Sequence, residues 1–213
     1  MTASIYFVSG IDTGIGKTYA TGYLAKQWID QGIKTITQKL IQTGNIEISE
    51  DIEKHREIMQ TGFLSEDDEK LTMPEIFTYP ASPHLATKID GRELDFNKIE
   101  QATRTLKQRF DVVLLEGAGG LMVPLTTDML TIDYIAQHQL PVILVSSGRL
   151  GSINHTLLSL EALKQRGLSL YALAYNLNDE SQDVIISEDT AQYLKQYLKH
   201  SFPEAKWIDI PKI

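Results

Sequence analysis

The stretch Gly10-Ile-Asp-Thr-Gly-Ile-Gly-Lys17-Thr18 constrains this chain more than any other. It follows a short apolar, β-prone run, Ile5-Tyr-Phe-Val8, of the length of a fully buried strand. From Tyr19 to Gln31, apolar residues then recur at helical spacing (Tyr19, Ala20, Tyr23, Leu24, Trp28). A strand, a Gly-rich turn ending in Gly-Lys-Thr and a helix together make the setting of a phosphate-binding loop. Glycines let the backbone curl so that several N–H groups converge, and the helix N-terminus adds positive potential at the same point. Lys17 is then placed to reach β- and γ-phosphates, and the Thr18 hydroxyl to ligate Mg²⁺. The spacer is unusual: five residues, Ile11 to Ile15, separate Gly10 from Gly16, where the common form of the motif has four.

Composition narrows the class. A length of 213 residues with 42% hydrophobic and 23% charged content suits one globular domain, expected to span 1–213. A net charge of −8 argues against a nucleic-acid binder, which needs a basic face. With no cysteine, disulfides and thiolate metal sites are excluded. No apolar run approaches the about 20 residues needed to cross a bilayer, and the N-terminus lacks a secretory pattern. The expectation is a cytoplasmic protein with no membrane partner.

Downstream, Ile33 to Lys39 alternates like a strand after a helix stop at Gly32. Lys39, followed by Leu40-Ile-Gln-Thr43-Gly44, falls at the carboxyl edge of the expected sheet, where ligands of open α/β sheets bind. That edge and an ordinary solvated lysine are both open readings for Lys39. Ser49 reads as an N-cap with acids in the following turn, so Asp51 has a ready role in complementing a helix dipole. Residues 61 to 80 are irregular, and Glu66-Asp67-Asp68-Glu69 reads as a solvated surface loop. In the Tyr79-Pro80-Ala-Ser82-Pro83-His84 segment, which opens a short helix, His84 is either a local hydrogen-bonding residue or a minor candidate base. Asp95 to Phe110 is amphipathic.

Asp111-Val-Val-Leu-Leu-Glu116-Gly117-Ala118-Gly119-Gly120 carries four consecutive aliphatics, the mark of a central parallel strand. It delivers Glu116 into a turn crowded with glycines, where an enzyme with this loop places a second anchor for Mg²⁺. A helix at 131–137 leads to another apolar strand, Leu140 to Ser146, whose Gly-Ser end enters a helix from about Asn154 to Arg166. That entry is an anion pocket or a plain N-cap. A strand from Leu168 to Tyr175 leads to Asn176-Leu177-Asn178, whose side-chain amides suit an adenine edge. A helix at 187–200 and a strand and turn at Trp207–Pro211 complete the pattern. Strands alternating with helices, with glycines and charges at strand ends, predict one doubly wound, mostly parallel α/β sheet flanked by helices, of the P-loop NTPase type. The residues themselves point to an enzyme using Mg²⁺ and ATP or GTP, and leave the acceptor open.

The segments GIDTGIGKT, QKLIQTG, YPASPHLA, EGAGG, LGSINH and YNLND, in that order and along nearly the whole chain, resemble the dethiobiotin synthetases. The five-residue spacer is the form that family's loop takes. The resemblance implies a ligase of biotin biosynthesis that converts 7,8-diaminononanoate, CO₂ (or bicarbonate) and MgATP to dethiobiotin, ADP and phosphate through a carbamate and a carbamic–phosphoric anhydride. By the same resemblance Thr13, Lys17 and Lys39 are catalytic, and Thr18, Asp51 and Glu116 hold Mg²⁺. The nucleotide contacts would be Gly14, Ile15, Gly16, Lys17, Thr18, Tyr19, Asp51, Glu116, Gly117, Ala118, Gly119, Asn176, Leu177 and Pro211. Thr43, with Ser152, Ile153 and Asn154, would contact the substrate, whose distal carboxylate the family binds across a homodimer interface.

Three departures stand out. Leu40 follows Lys39 where the family has proline, and Gly14 stands where it often has glutamate. The sequence ends at Ile213, just past the purine-contacting turn, so base discrimination is expected to be looser than phosphate binding. The competing readings are a partitioning-ATPase-like switch, a lactam-forming ligase for another diamine or carboxylate, and a paralogue that binds nucleotide without turnover. The first is disfavoured because Ser9-Gly10-Ile11 lacks that group's early lysine.

Overall fold

The computed structural model describes residues 4–178 and 183–212. Its centre is a six-stranded sheet in which every neighbouring pair runs parallel. The strands are β1 (Ser4–Gly10), β2 (Thr35–Lys39), β5 (Val112–Gly120), β6 (Val142–Ser147), β7 (Leu170–Asn176) and β8 (Lys206–Ile210), ordered β2-β5-β1-β6-β7-β8. From β1 the chain crosses to β2 on one side and later places β6 on the other. The carboxyl end of β1 therefore lies at the switch point, between β5 and β6.

Because both faces are covered, the strands are apolar on both sides. Val8, Leu114, Ile143, Val145, Ala172 and Ala174 pack with α1 (Lys17–Asp30) and Met59 of α2 (Glu50–Met59). Phe7, Leu115, Val142, Leu144, Leu173 and Tyr175 pack against the opposite layer of helices. That layer is built by Ile99 of α5 (Phe96–Arg109), Ile132 and Ile135 of α6 (Thr131–His138), Leu160 and Leu163 of α7 (Ser152–Gln165), and Leu194 and Leu198 of α8 (Val184–Ser201).

Several boundaries differ from the sequence expectation, each for a local reason. Helix α1 starts at Lys17 rather than Tyr19 because left-handed Gly16 turns the loop directly into it. Helix α7 starts at Ser152 rather than Asn154, after left-handed Gly151. Helix α8 reaches back to Val184, where Asp183 Oδ1 accepts hydrogen bonds from the backbone N–H groups of Ile185 and Ile186. The glycines after Glu116 do not form a turn: β5 continues through them, and Gly120 pairs with Gly10. A pair of two-residue strands, β3 (Gln42–Thr43) and β4 (Ile76–Phe77), forms a small parallel ladder beyond Lys39. The short helix expected after Pro83 is α4 (Pro83–Asp90).

The acidic run is a short helix rather than a loop, and although Asp68 and Glu69 are exposed as expected, Asp67 is not. Residues Ser65–Asp68 form α3, and Asp67 is only 2% exposed. Its carboxylate accepts a forked pair from Arg56, Nε to Oδ2 and Nη2 to Oδ1, both at 2.8 Å. Thr72 Oγ1 and the Leu64 N–H also donate to it, at 2.6 and 2.7 Å. Arg56 Nη1 in turn donates to Thr37 Oγ1 at 2.8 Å. A buried charge persists only when paired and hydrogen-bonded, and this one is. The result ties α2 to β2 and fixes the helix that carries Asp51.

Candidate active site

The loop between β1 and α1 is held from below and from the side. Ile15 is fully buried and anchors it to the sheet. The Asn176 amide, at the end of β7, donates to the Ile15 carbonyl at 3.0 Å. Gly16 has φ 98°, and a Cβ there would run into the Asn176 carboxamide, so this position requires glycine on two counts. Asp12 braces the front of the loop: Oδ1 accepts from the Thr13 N–H at 2.7 Å, and Oδ2 pairs with Arg149 at 2.7 Å. Lys17 is 8% exposed and donates to the Asp12 carbonyl at 3.3 Å. Burial pulls its pKa down; the attraction of Glu116 opposes that and the repulsion of Lys39 adds to it.

Parallel pairing of β2 and β5 sets Lys39 and Glu116 at the same register. Lys39 Nζ lies 2.8 Å from Glu116 Oε1, 2.5 Å from Asp51 Oδ2 and 3.3 Å from the Gly117 carbonyl. Thr18 Oγ1 donates to Asp51 Oδ1 at 2.7 Å and approaches Glu116 Oε1 at 3.5 Å. Glu116 is fully buried, which by itself would raise its pKa. The Lys39 ammonium and the hydrogen bond from His55 outweigh burial and hold the group far below the usual carboxylate range. For Lys39, burial works against the charge, and Glu116 and Asp51 more than restore it, raising the pKa. Both groups are therefore charged across the physiological range.

One hydroxyl and two carboxylates converge at this point, all hard oxygen donors. That set fits Mg²⁺, which takes one or two carboxylates together with substrate phosphates rather than a complete protein cage. Among the described residues, no group of three or more His, Asp or Glu side chains forms such a cage.

The loop and the carboxylates open into one cavity of about 590 Å³. Of the residues singled out from sequence, Thr13, Gly14, Gly16, Lys17, Thr18, Tyr19, Lys39, Thr43, Asp51, Glu116, Ala118 and Gly119 line it. Thr13 also borders a second cavity of about 360 Å³, beside Ile11, Val123 and His155. Others lie elsewhere. Asn176, Leu177 and Pro211 gather at the carboxyl ends of β7 and β8, where the Leu177 N–H donates to the Ile210 carbonyl at 2.9 Å and the Asn178 amide donates to the Pro211 carbonyl. Ser152 begins α7 with its hydroxyl buried and, among the described residues, unpartnered. Ile153 and Asn154 border a separate apolar groove with Ile185 and Ile186. His84 Nδ1 meets Ser82 Oγ at 3.0 Å, a local contact. Asp179, the last residue of YNLND, lies outside the described residues.

Sequence reasoning missed His55, which is fully buried with Nε2 2.9 Å from Glu116 Oε2. The available signal was its spacing, one turn beyond Asp51 on the same helix face. It also missed the Asp12–Arg149 brace.

A Gly-rich loop at a strand–helix junction, a lysine at its end and a hydroxyl–carboxylate cluster at the switch point of a parallel sheet define a P-loop nucleotide-dependent enzyme. Known structures share the fold: chloroplast FtsY from Physcomitrella patens, at TM-score 0.57 and 14% identity over 100% of this chain and 60% of that one, and a ParA family ATPase from Chlorobium tepidum TLS, at TM-score 0.54 and 13% identity over 100% and 85%. A family model described as an AAA domain (AAA_26) matches residues 4–201. Closer relatives are ATP-dependent dethiobiotin synthetase BioD 2 of Pasteurella multocida (strain Pm70), 50% identical over 94% of each chain, and ATP-dependent dethiobiotin synthetase BioD of Chlorobaculum tepidum, 47% identical over 99% of this chain and 88% of that one. The chain belongs to the ATP-dependent dethiobiotin synthetase family.

Proposed function

We propose that this chain, as a single domain over 1–213, closes the ureido ring of dethiobiotin from 7,8-diaminononanoate and CO₂ at the expense of MgATP. One amine of the diamine adds to CO₂ and loses a proton, giving a carbamate. The carbamate oxygen attacks the γ-phosphorus as the bond to the bridging oxygen of ADP breaks, forming a carbamic–phosphoric anhydride. The second amine then attacks the carbamoyl carbon and gives up a proton as the bond to the phosphate oxygen breaks and phosphate leaves.

Bringing a carbamate against a triphosphate gathers negative charge, so the site must concentrate positive charge that is oriented in advance. The loop N–H groups and Lys17 face the β- and γ-phosphates, while Lys39 and Thr13 face the γ-phosphate and the carbamate. Mg²⁺, held through Thr18, Asp51 and Glu116, would neutralise charge on the phosphate oxygens. The observation that carries this reading is the opening of Lys17, Lys39, Thr18, Asp51, Glu116 and Thr13 into one cavity.

The same reading assigns adenine recognition to Asn176 with Pro211, and the substrate's distal carboxylate to the start of α7 at Ser152–Asn154, across a homodimer interface. Exposed apolar side chains around that helix start and α8 support the dimer: Leu150 is 84% and Ile185 79% exposed. No helix among the described residues is long and apolar enough to cross a membrane, and we place the enzyme in the cytoplasm. Incubation with MgATP, bicarbonate and 7,8-diaminononanoate followed by mass analysis tests the reading. It predicts dethiobiotin; nucleotide turnover without that product contradicts it.

A further inference from the structure

We infer that His55 is a positioning residue: it anchors one oxygen of Glu116 and leaves only the other for the cation. This inference rests on the reading of Glu116 as a Mg²⁺ ligand. A charged carboxylate only accepts hydrogen bonds, so the 2.9 Å contact to Oε2 requires His55 Nε2 to carry a proton. The other oxygen, Oε1, faces Lys39 Nζ at 2.8 Å and Thr18 Oγ1 at 3.5 Å. The two oxygens thus have separate duties, and the carboxylate cannot rotate to offer both.

The anchor itself is rigid. Asp51 and His55 lie one turn apart on α2, so one helix supplies a cation ligand and the clamp on another. Ser49 Oγ accepts from the Ile52 N–H at 3.2 Å at one end of that helix, and Arg56 is forked onto Asp67 beyond His55. Packing alone does not account for the histidine. Its Nδ1 is buried and, among the described residues, has no hydrogen-bond partner, a cost that an aliphatic side chain would avoid. Partners that orient a ligand in this way tune metal affinity strongly.

Mn²⁺ binding in the presence of ADP, followed by electron paramagnetic resonance on the full chain, tests the inference without relying on turnover. His55→Leu should raise the Mn²⁺ dissociation constant about ten- to a hundredfold. His55→Gln, whose amide N–H has the reach of Nε2, should restore parental affinity. Glu116→Gln is the control. If His55→Leu binds Mn²⁺ as tightly as the parent while Glu116→Gln does not, the positioning role is overturned. If both bind normally, the assignment of Glu116 as a ligand fails instead. Should His55→Leu not fold, His55→Gln and His55→Asn decide: Gln must bind as the parent and Asn, one carbon shorter, must not. Equal affinity for those two overturns the proposal.

Discussion

Lys39 Nζ and Glu116 Oε1 are 2.8 Å apart, paired across adjacent parallel strands at the same register. Asp51 closes on the same ammonium at 2.5 Å. The arrangement explains how a lysine stays charged in a buried position: two carboxylates offset what burial costs it. It also puts the cation of Lys39 beside the donors that would hold Mg²⁺, which suits a reaction that joins two anions.

Replacing Lys39 with alanine should leave nucleotide affinity nearly unchanged, because the proposed contacts to the phosphates come mainly from the loop and Lys17. Product formation should fall by at least about 100-fold, the loss typical of an oriented charge acting on the transition state. Calorimetric ADP binding together with single-turnover product analysis checks both halves. Normal turnover in this variant would remove Lys39 from the chemistry.

Thr18→Val removes a hydroxyl and keeps the shape. The Mg²⁺ concentration for half-maximal activity should rise by at least about tenfold, equivalent to about 1.4 kcal/mol of lost ligation. Titration of activity against free Mg²⁺ measures it. Unchanged metal dependence would place the cation away from Thr18.

Two glycines of the loop should respond differently to alanine. Gly16 combines φ 98° with an occupied neighbourhood, because its Cβ would displace the Asn176 amide from the Ile15 carbonyl. Gly14 has φ 69°, but a Cβ added there would meet nothing within 4 Å. Gly14→Ala should cost only the left-handed backbone penalty of roughly 1–2 kcal/mol. Gly16→Ala should cost more and also weaken ADP binding. Urea denaturation and ADP titration of the two variants distinguish them, and equal effects would refute the role given to Asn176 in bracing the loop.

The Arg56–Asp67 pair gives a pH signature. Burial raises the Asp67 pKa, but the hydrogen bond and charge of Arg56, with Thr72 and the Leu64 N–H, hold it below its unfolded value of 3.8. A depressed folded pKa stabilises the protein above the unfolded pKa, and the contribution is lost as pH falls through the folded one. Asp67→Asn should therefore lower stability at neutral pH, by about 3–5 kcal/mol for an uncompensated buried arginine. It should also flatten the decline of stability below about pH 4. Urea midpoints across that range check the sign.

How much of this was legible in the sequence depended on the range of the interactions. The aliphatic run Val112 to Leu115 announced a strand covered on both faces, and the loop before Lys17 its phosphate site, because each signal lies within a few consecutive residues. Lys39, Asp51 and Glu116 were legible as candidates, but only sheet register and the placement of α2 make them neighbours. Asp67 read as a surface acid because its partner is Arg56, 11 residues away on another helix, and a four-residue helix is too short to show periodicity. The β3–β4 ladder has two residues per strand, too few for an alternating pattern. His55 sits one turn from Asp51, a readable spacing, but its target Glu116 lies 61 residues further along the chain.

Phosphate release from MgATP in bicarbonate buffer, measured with and without 7,8-diaminononanoate, separates ring closure from simple nucleotide hydrolysis. Dethiobiotin synthesis requires release that depends on the diamine and matches dethiobiotin formed, one for one. Release that proceeds equally without the diamine would contradict it and make this chain a nucleotide hydrolase on the same fold.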